Sequence, residues 1–155
     1  MSEYNYGVRG RTAATAATAD NGIAALWNPH ATKRLTVYEI GLMAASAPAS
    51  GASVYLRRTS ARGTAGSTVT PGIQNGYQRD IAPVSGVLLD LAAYSVQPTF
   101  ETGGLKGWVL MAVAAATILY PISKGIVVPP GTGLALVTAA AIIIPISEVW
   151  AVWAE

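Results

Sequence analysis

Between Lys124 and Glu148 the chain carries no charge, and residues 125–146 read GIVVPPGTGLALVTAAAIIIPI. A membrane-spanning helix needs roughly 20 mostly apolar residues, so length and hydropathy admit a span. A second uncharged run, GWVLMAVAAATILYPIS, occupies positions 107–123 just before it. Together the two runs would suggest a helical hairpin in a bilayer.

The punctuation argues against that reading. Pro129 and Pro130 are adjacent, and Gly131 and Gly133 follow at once. Proline inside a helix removes a backbone hydrogen bond and clashes with the preceding turn, at a cost of about 3 kcal/mol or more. In hydrocarbon the freed carbonyls find no water. The break leaves IVV and a piece ending at Pro145, both too short to cross. No cluster of Lys or Arg flanks the run to set an orientation. The same residues read well as strand, turn, strand: Pro fixes φ, Gly permits positive φ, and short apolar runs bounded by both suit strands buried on two faces. The expectation is a β core and no membrane span.

A chain of 155 residues fits one domain with a sizeable core. Charged residues make up 12% of it, about half the usual share, which points to surface hidden in an oligomer. There is no cysteine, so disulfides, thiol catalysis and zinc–thiolate sites are excluded. MSEYNYGVRG has no apolar run of the secretory type, and synthesis in a cytoplasm is expected. The net charge of +2 does not suggest a nucleic-acid binder. Its distribution is uneven: residues 1–79 carry a net +5 and residues 80–155 a net −3, so complementary faces could dock copies together or hold a charged partner.

Along the chain, TAATAATA is a small-residue tract in which Thr at every third position weakens the helical preference of Ala. Residues 1–21 are therefore expected to form an extended N-terminal arm, with a short strand at Tyr4–Val8 as the alternative. Strand candidates recur over 22–28, 33–44, 53–60, 67–70, 87–94, 95–100, 108–115, 125–128, 134–140 and 148–154. Short strands with Gly and Pro between them predict an all-β sandwich or barrel over 22–155.

The inventory for chemistry is thin. His30 is the only histidine and lies in the turn WNPHAT. No group of residues has metal-ligand spacing. The later carboxylates are scattered, with Asp80 and Asp90 ten positions apart. GTGLAL at 131–136 imitates a dinucleotide-binding loop, but Leu136 stands where the third glycine belongs. No catalytic residue, metal or cofactor is expected, and the chain does not read as an enzyme.

Two polar and aromatic features stand out instead. Arg57, Arg58 and Arg62 sit on a strand end and the loop after it, and Arg9 and Arg11 lie in the arm. These five are candidates for docking an acidic surface; the bland alternative is solvated or cross-sheet paired charge. In EVWAVWAE, Trp150 and Trp153 fall on opposite faces of a strand. With Trp108 they are candidates for an oligomer interface, where Trp is enriched; core packing is the alternative role.

LWNPHATKRLTVYEIGLMAASAP followed by VYLRRTSARGTAGSTVTP, then PPGTGLAL and the Trp-rich last strand, resembles small virion proteins of tailed bacteriophages. The matching pieces are Leu26–Pro29, Lys33–Gly41, Arg58–Pro71, Pro129–Leu136 and Glu148–Glu155. They span most of the chain but are turn and strand signatures. The resemblance implies a jelly-roll-like antiparallel β-sandwich that decorates or cements an icosahedral capsid. It further implies the major capsid protein as partner, a homotrimer, and a place on the capsid surface of the virion. The other reading is a head or tail appendage that binds host glycans, with Tyr77 and Tyr94 as ring platforms.

Overall fold

The computed structural model describes residues 5–71 and 83–155. Eleven strands and no helix occur among them: β1 (Asn5–Arg11), β2 (Gly22–Asn28), β3 (Leu35–Ala44), β4 (Ala52–Ala61), β5 (Ser67–Val69), β6 (Leu88–Leu91), β7 (Thr99–Phe100), β8 (Lys106–Leu110), β9 (Thr117–Val128), β10 (Thr132–Thr138) and β11 (Ser147–Ala154). They form two antiparallel sheets. The smaller has the order β1-β11-β3-β9; the larger runs β5-β6-β2-β10-β4-β7, with β8 also paired to β4. The chain is an all-β sandwich.

One continuous core lies between the sheets. Tyr6, Val8, Val37, Ile40, Leu42, Val149, Ala151 and Trp153 face it from the smaller sheet, and Ile23, Leu26, Val54, Leu56, Leu89, Leu134 and Leu136 from the larger. Alternation with a period of two produces this inward set along β1, β4 and β11.

The opening stretch is strand, turn, strand. β9 ends at Val128, Gly131 takes φ +66° in the turn and its N–H donates to the Asn28 carbonyl at 2.9 Å, and β10 begins at Thr132. No helix among the described residues is long and apolar enough to cross a membrane. β10 is buried on both faces, as its unbroken apolar run suggests. The second cover has a local cause. Residues 62–66 run from the end of β4 to β5, and residues 92–98 return from β6 to β7, so both segments cross the outside of the larger sheet. They are bridged at Thr64 and Val96, and beneath them and Phe100 lie Ala25, Ala135 and Val137.

Four strand expectations need correction. Those over 87–94 and 95–100 shrink to Leu88–Leu91 and Thr99–Phe100. The strand expected over 108–115 ends at Leu110, and the one expected over 125–128 begins at Thr117. β9 thus contains Pro121. It tolerates this because it is an edge strand, where a missing N–H costs no ladder bond on its outer side. Between Pro121 and Ile126 the strand carries a wide bulge opposite Tyr38, with Gly125 at φ +69°.

The arm expected over 1–21 is replaced over residues 5–11 by β1, which pairs with β11 along its whole length; residues 1–4 lie outside the described residues. The threonine tract after it is tied down by its own chain. Thr12 and Thr15 are buried. The Thr12 N–H donates to the Ser147 carbonyl at 2.9 Å, and the Ser147 N–H donates back to the Thr12 hydroxyl at 3.1 Å. Thr15 and Ile144 make the same reciprocal pair at 3.0 and 2.8 Å. A spacing of three on both sides of this pairing matches the interval between Thr12 and Thr15. Thr15→Val would strand the buried Ile144 N–H and is expected to cost about 1–3 kcal/mol. Thermal or urea denaturation checks it, with Thr15→Ser expected to stay close to wild type.

Candidate docking surface

The five arginines proposed for docking separate into two groups. Arg57 and Arg58 lie on β4 of the larger sheet and Arg62 just after it, and all three direct their hydrogen bonds within the molecule. Arg57 Nη1 donates to Asp20 Oδ1 at 2.6 Å, its Nη2 donates to the Glu101 carbonyl at 2.9 Å, and its guanidinium lies 5.4 Å from the centre of the Phe100 ring. Arg58 Nη1 donates to the Val127 carbonyl at 2.7 Å, which ties the larger sheet to β9 of the smaller.

Arg62 makes the most developed of these contacts. Its Nε donates to Asp90 Oδ2 at 2.7 Å and its Nη2 to Asp90 Oδ1 at 2.8 Å. The Thr68 hydroxyl adds a third donor to Asp90 Oδ1 at 2.6 Å. Asp90 is 1% exposed, so this fork is what allows a carboxylate to sit there. The hydrogen bond to Asp90 pushes the Arg62 guanidinium pKa up further, against the opposing effect of burial. These residues clamp the two crossing segments onto the sheet, and the cross-sheet pairing alternative describes them better than docking does.

Arg9 and Arg11 lie elsewhere. Both are exposed on β1, at the edge of the smaller sheet. Arg11 is 3.7 Å from Glu148, a surface pair worth little. Arg9 has no ion-pair or hydrogen-bond partner among the described residues.

The ladder registers arrange the outer face of this sheet in rows. Arg11, Glu148, Met43 and Thr117 form one row, Arg9, Trp150, Gly41 and Leu119 the next, and Gly7, Val152, Glu39 and Pro121 the third. Trp150 lies flat in the middle. A Cβ built on Gly41 would fall 2.2 Å from the indole, so glycine is required for the ring to lie down. The indole N–H donates to Glu39 Oε1 at 2.7 Å, which fixes the ring's orientation. Leu119 and Met43 beside it are 51% and 37% exposed. The result is a broad, shallow surface with an aromatic centre, aliphatic neighbours and a basic margin. Aromatic residues, Met and Arg are the types enriched in protein interfaces. Gly41 and Glu39 escaped the sequence reading; their places opposite Trp150 and Val152 emerge only from the cross-strand register.

The three tryptophans also differ. Trp150 sits on the outer face as described. Trp153 is fully buried and stacks on Tyr6 at 5.7 Å, so its role is core packing and not an interface. The reason is parity: three residues separate the two, and alternate positions on β11 face opposite sides. Trp108 is partly buried and meets Tyr120 edge-on at 5.1 Å, closing the gap between β8 and β9.

Of the ring platforms weighed for glycans, Tyr77 lies outside the described residues. Tyr94 packs against Gly22 and donates its hydroxyl to the Asp90 carbonyl at 3.0 Å. Its phenol pKa is pushed well above the usual range, first by burial and then by the nearby Asp90 charge. It presents no free platform. His30 accepts the N–H groups of Thr32 and Lys33 at its Nδ1, at 3.1 and 2.9 Å, and so organises its own turn. No group of three or more His, Asp or Glu able to hold a metal occurs among the described residues.

No family model matches this chain, and no curated protein is similar to it.

Proposed function

We propose that this protein is a structural virion protein that decorates a phage capsid and stabilises it by bridging neighbouring capsid subunits. The observation that carries the reading is the outer face of the smaller sheet, where Trp150 lies flat between Arg9 and Leu119. A flat surface of this composition suits another protein better than a small substrate, which needs a concave pocket with convergent polar groups. Arg9 and Arg11 at its margin favour an acidic partner surface.

The strand order supports the reading. The order β1-β11-β3-β9 in one sheet and β2-β10-β4-β8 in the other supports a jelly-roll-like reading, with β5 and β6 beyond β2 and β7 also on β4. Jelly rolls serve in viral capsids and also in lectins and cupins, so the fold permits the role without dictating it. Two of the motifs that carry the resemblance act in this chain as staples. Asn28 of LWNP donates its side-chain amide to the Lys33 and Val128 carbonyls at 2.8 and 3.2 Å, joining two turns. Arg62 of RTSARGT clamps Asp90. A body stapled in this way gains strength by repetition: many modest contacts held by symmetry resist pressure from within.

The test is co-sedimentation with expanded capsids assembled from the major capsid protein of the same genome. Binding is expected to saturate at a fixed ratio and to raise the temperature at which the capsids rupture. Arg9→Glu with Leu119→Asp is expected to weaken binding at least tenfold while leaving the thermal midpoint of the free protein within a few degrees. No binding by the wild-type protein overturns the reading, and retention on host glycans without capsid binding favours the appendage role instead.

A further inference from the structure

A β-sandwich must protect the outer edges of its sheets, because an unpaired row of N–H and C=O groups is a template for another strand. Three edges here carry recognisable protection. β1 holds Arg9 and Arg11; β9 holds Pro121, Lys124 and a wide bulge; β5 is only three residues long. β8 has none of these devices. After Lys106 it reads Gly107-Trp108-Val109-Leu110, with no charge, no proline and no break in its register with β4. No strand among the described residues covers its other side.

The side chains along this edge are equally unprotected. Leu105 is 46% exposed, and Val109 and Met111 are each 65% exposed. Val109 and Met111 are the two most exposed large hydrophobic residues described. Gly107 and Val109 share one face of the strand, which Leu105 and Met111 flank. At Gly107 that face is filled by the Tyr55 ring, 2.6 Å from where a Cβ would stand, and Tyr55 is itself 41% exposed. Lys106 does not guard the edge; its ammonium lies 4.7 Å from the Tyr120 ring centre, turned toward β9.

We propose that two copies of this chain pair through β8, antiparallel, about a two-fold axis at Trp108. The edge is complementary to itself in that register. Gly107 stands opposite Val109 of the second copy, which meets the Tyr55 ring. Leu105 stands opposite Met111, so the exposed aliphatic side chains cover one another. Lys106 stands opposite Leu110, and no like charges face each other. A two-fold interface of this kind uses one patch twice, the commonest way for a soluble chain to associate. It also removes from solvent the uncharged segment GWVLMAV, which has the composition of an aggregation-prone strand. A pair of short strands falls below the roughly 1,600 Å² of a standard stable interface, so the dimer is reversible and dilution reads it.

The experiment is size-exclusion chromatography with light scattering on the full chain over a wide dilution series. The mass is expected to approach twice the 15.9 kDa of the chain at high concentration and to fall toward 15.9 kDa on dilution. Val109→Lys is expected to stay at the chain mass throughout with an unchanged thermal midpoint, since Val109 supports little of the core. Leu119→Lys, on the outer face of the smaller sheet, is expected to dimerise like wild type. A wild-type protein that is monomeric at every concentration, a trimer, or a Val109→Lys variant that still dimerises would overturn the pairing. The inference is independent of capsid decoration: a trimer that binds capsids sinks the pairing alone, and a dimer that ignores capsids sinks decoration alone.

Discussion

Trp153→Ala is expected to lower the stability of the protein by about 3–5 kcal/mol, the usual cost of emptying a large aromatic site in a packed core. Trp153 is completely buried between the sheets and stacks on Tyr6 at 5.7 Å. Tyr6 belongs to β1 and Trp153 to β11, and the two stand opposite each other in the ladder. The cavity would therefore loosen the edge strand as well as the core. Chemical denaturation followed by fluorescence or circular dichroism measures the loss. Trp153→Phe is expected to cost much less. Among the described residues the indole N–H has no hydrogen-bond partner, so phenylalanine gives up volume and none of the polar contacts described. Trp150→Ala offers the contrast. It removes a half-buried surface ring and its bond to Glu39, and it is expected to cost less than half as much as Trp153→Ala while weakening capsid binding. Equal destabilisation by both would contradict the division of the two tryptophans between core and surface.

Arg62→Met is expected to cost about 3 kcal/mol or more, because removing one partner of a buried pair strands the other charge. The asymmetry of the pair decides the direction. The side chain of Asp90 is 1% exposed and that of Arg62 is 38% exposed. Without the guanidinium, the Thr68 hydroxyl is the one donor left to the Asp90 carboxylate among the described residues, whereas Arg62, if Asp90 were removed, could turn to water. Asp90→Asn, which retains a side chain able to accept from Arg62, is expected to be milder. The loss should be felt first in the two crossing segments. Hydrogen exchange at Thr64, Ser95 and Val96, whose amides bond across the segments, is expected to accelerate before the sheet core opens. Denaturation midpoints close to wild type for Arg62→Met would mean that the clamp contributes little. Arg9→Glu, at an exposed position on β1, should leave stability unchanged.

Both outcomes bear on what could be read from residues alone. The uncharged stretch 125–146 announced its own structure. Two adjacent prolines and two glycines forbid a continuous helix on local steric grounds, and strand-turn-strand is the form that remains. Parity likewise placed Trp150 and Trp153 on opposite faces of the last strand. Nothing local said which of them faced inward. That depended on β11 lying between β1 and β3, with the second sheet on one side only.

The arginines show the same boundary. A cluster at 57, 58 and 62 looks like a basic patch when written in a line. In the fold each finds a different acceptor, on Glu101, Val127 and Asp90, from 28 to 69 positions away. Such partners are set by which loop crosses which sheet, and crossing order leaves no trace in local pattern. Thr12 and Thr15 are intermediate. Their spacing was visible and discouraged a helix, but its purpose, a reciprocal ladder with Ser147 and Ile144, required the chain's two ends to meet.

Sequence by itself therefore determined the class of secondary structure, the turns and the absence of thiol chemistry, because these follow from backbone sterics and residue type. Tertiary structure alone decided which tryptophan is core, which arginines are spent, which edge is left bare and which face is offered outward. Those are properties of pairs of residues far apart in the chain, and only the packing of the two sheets brings them together.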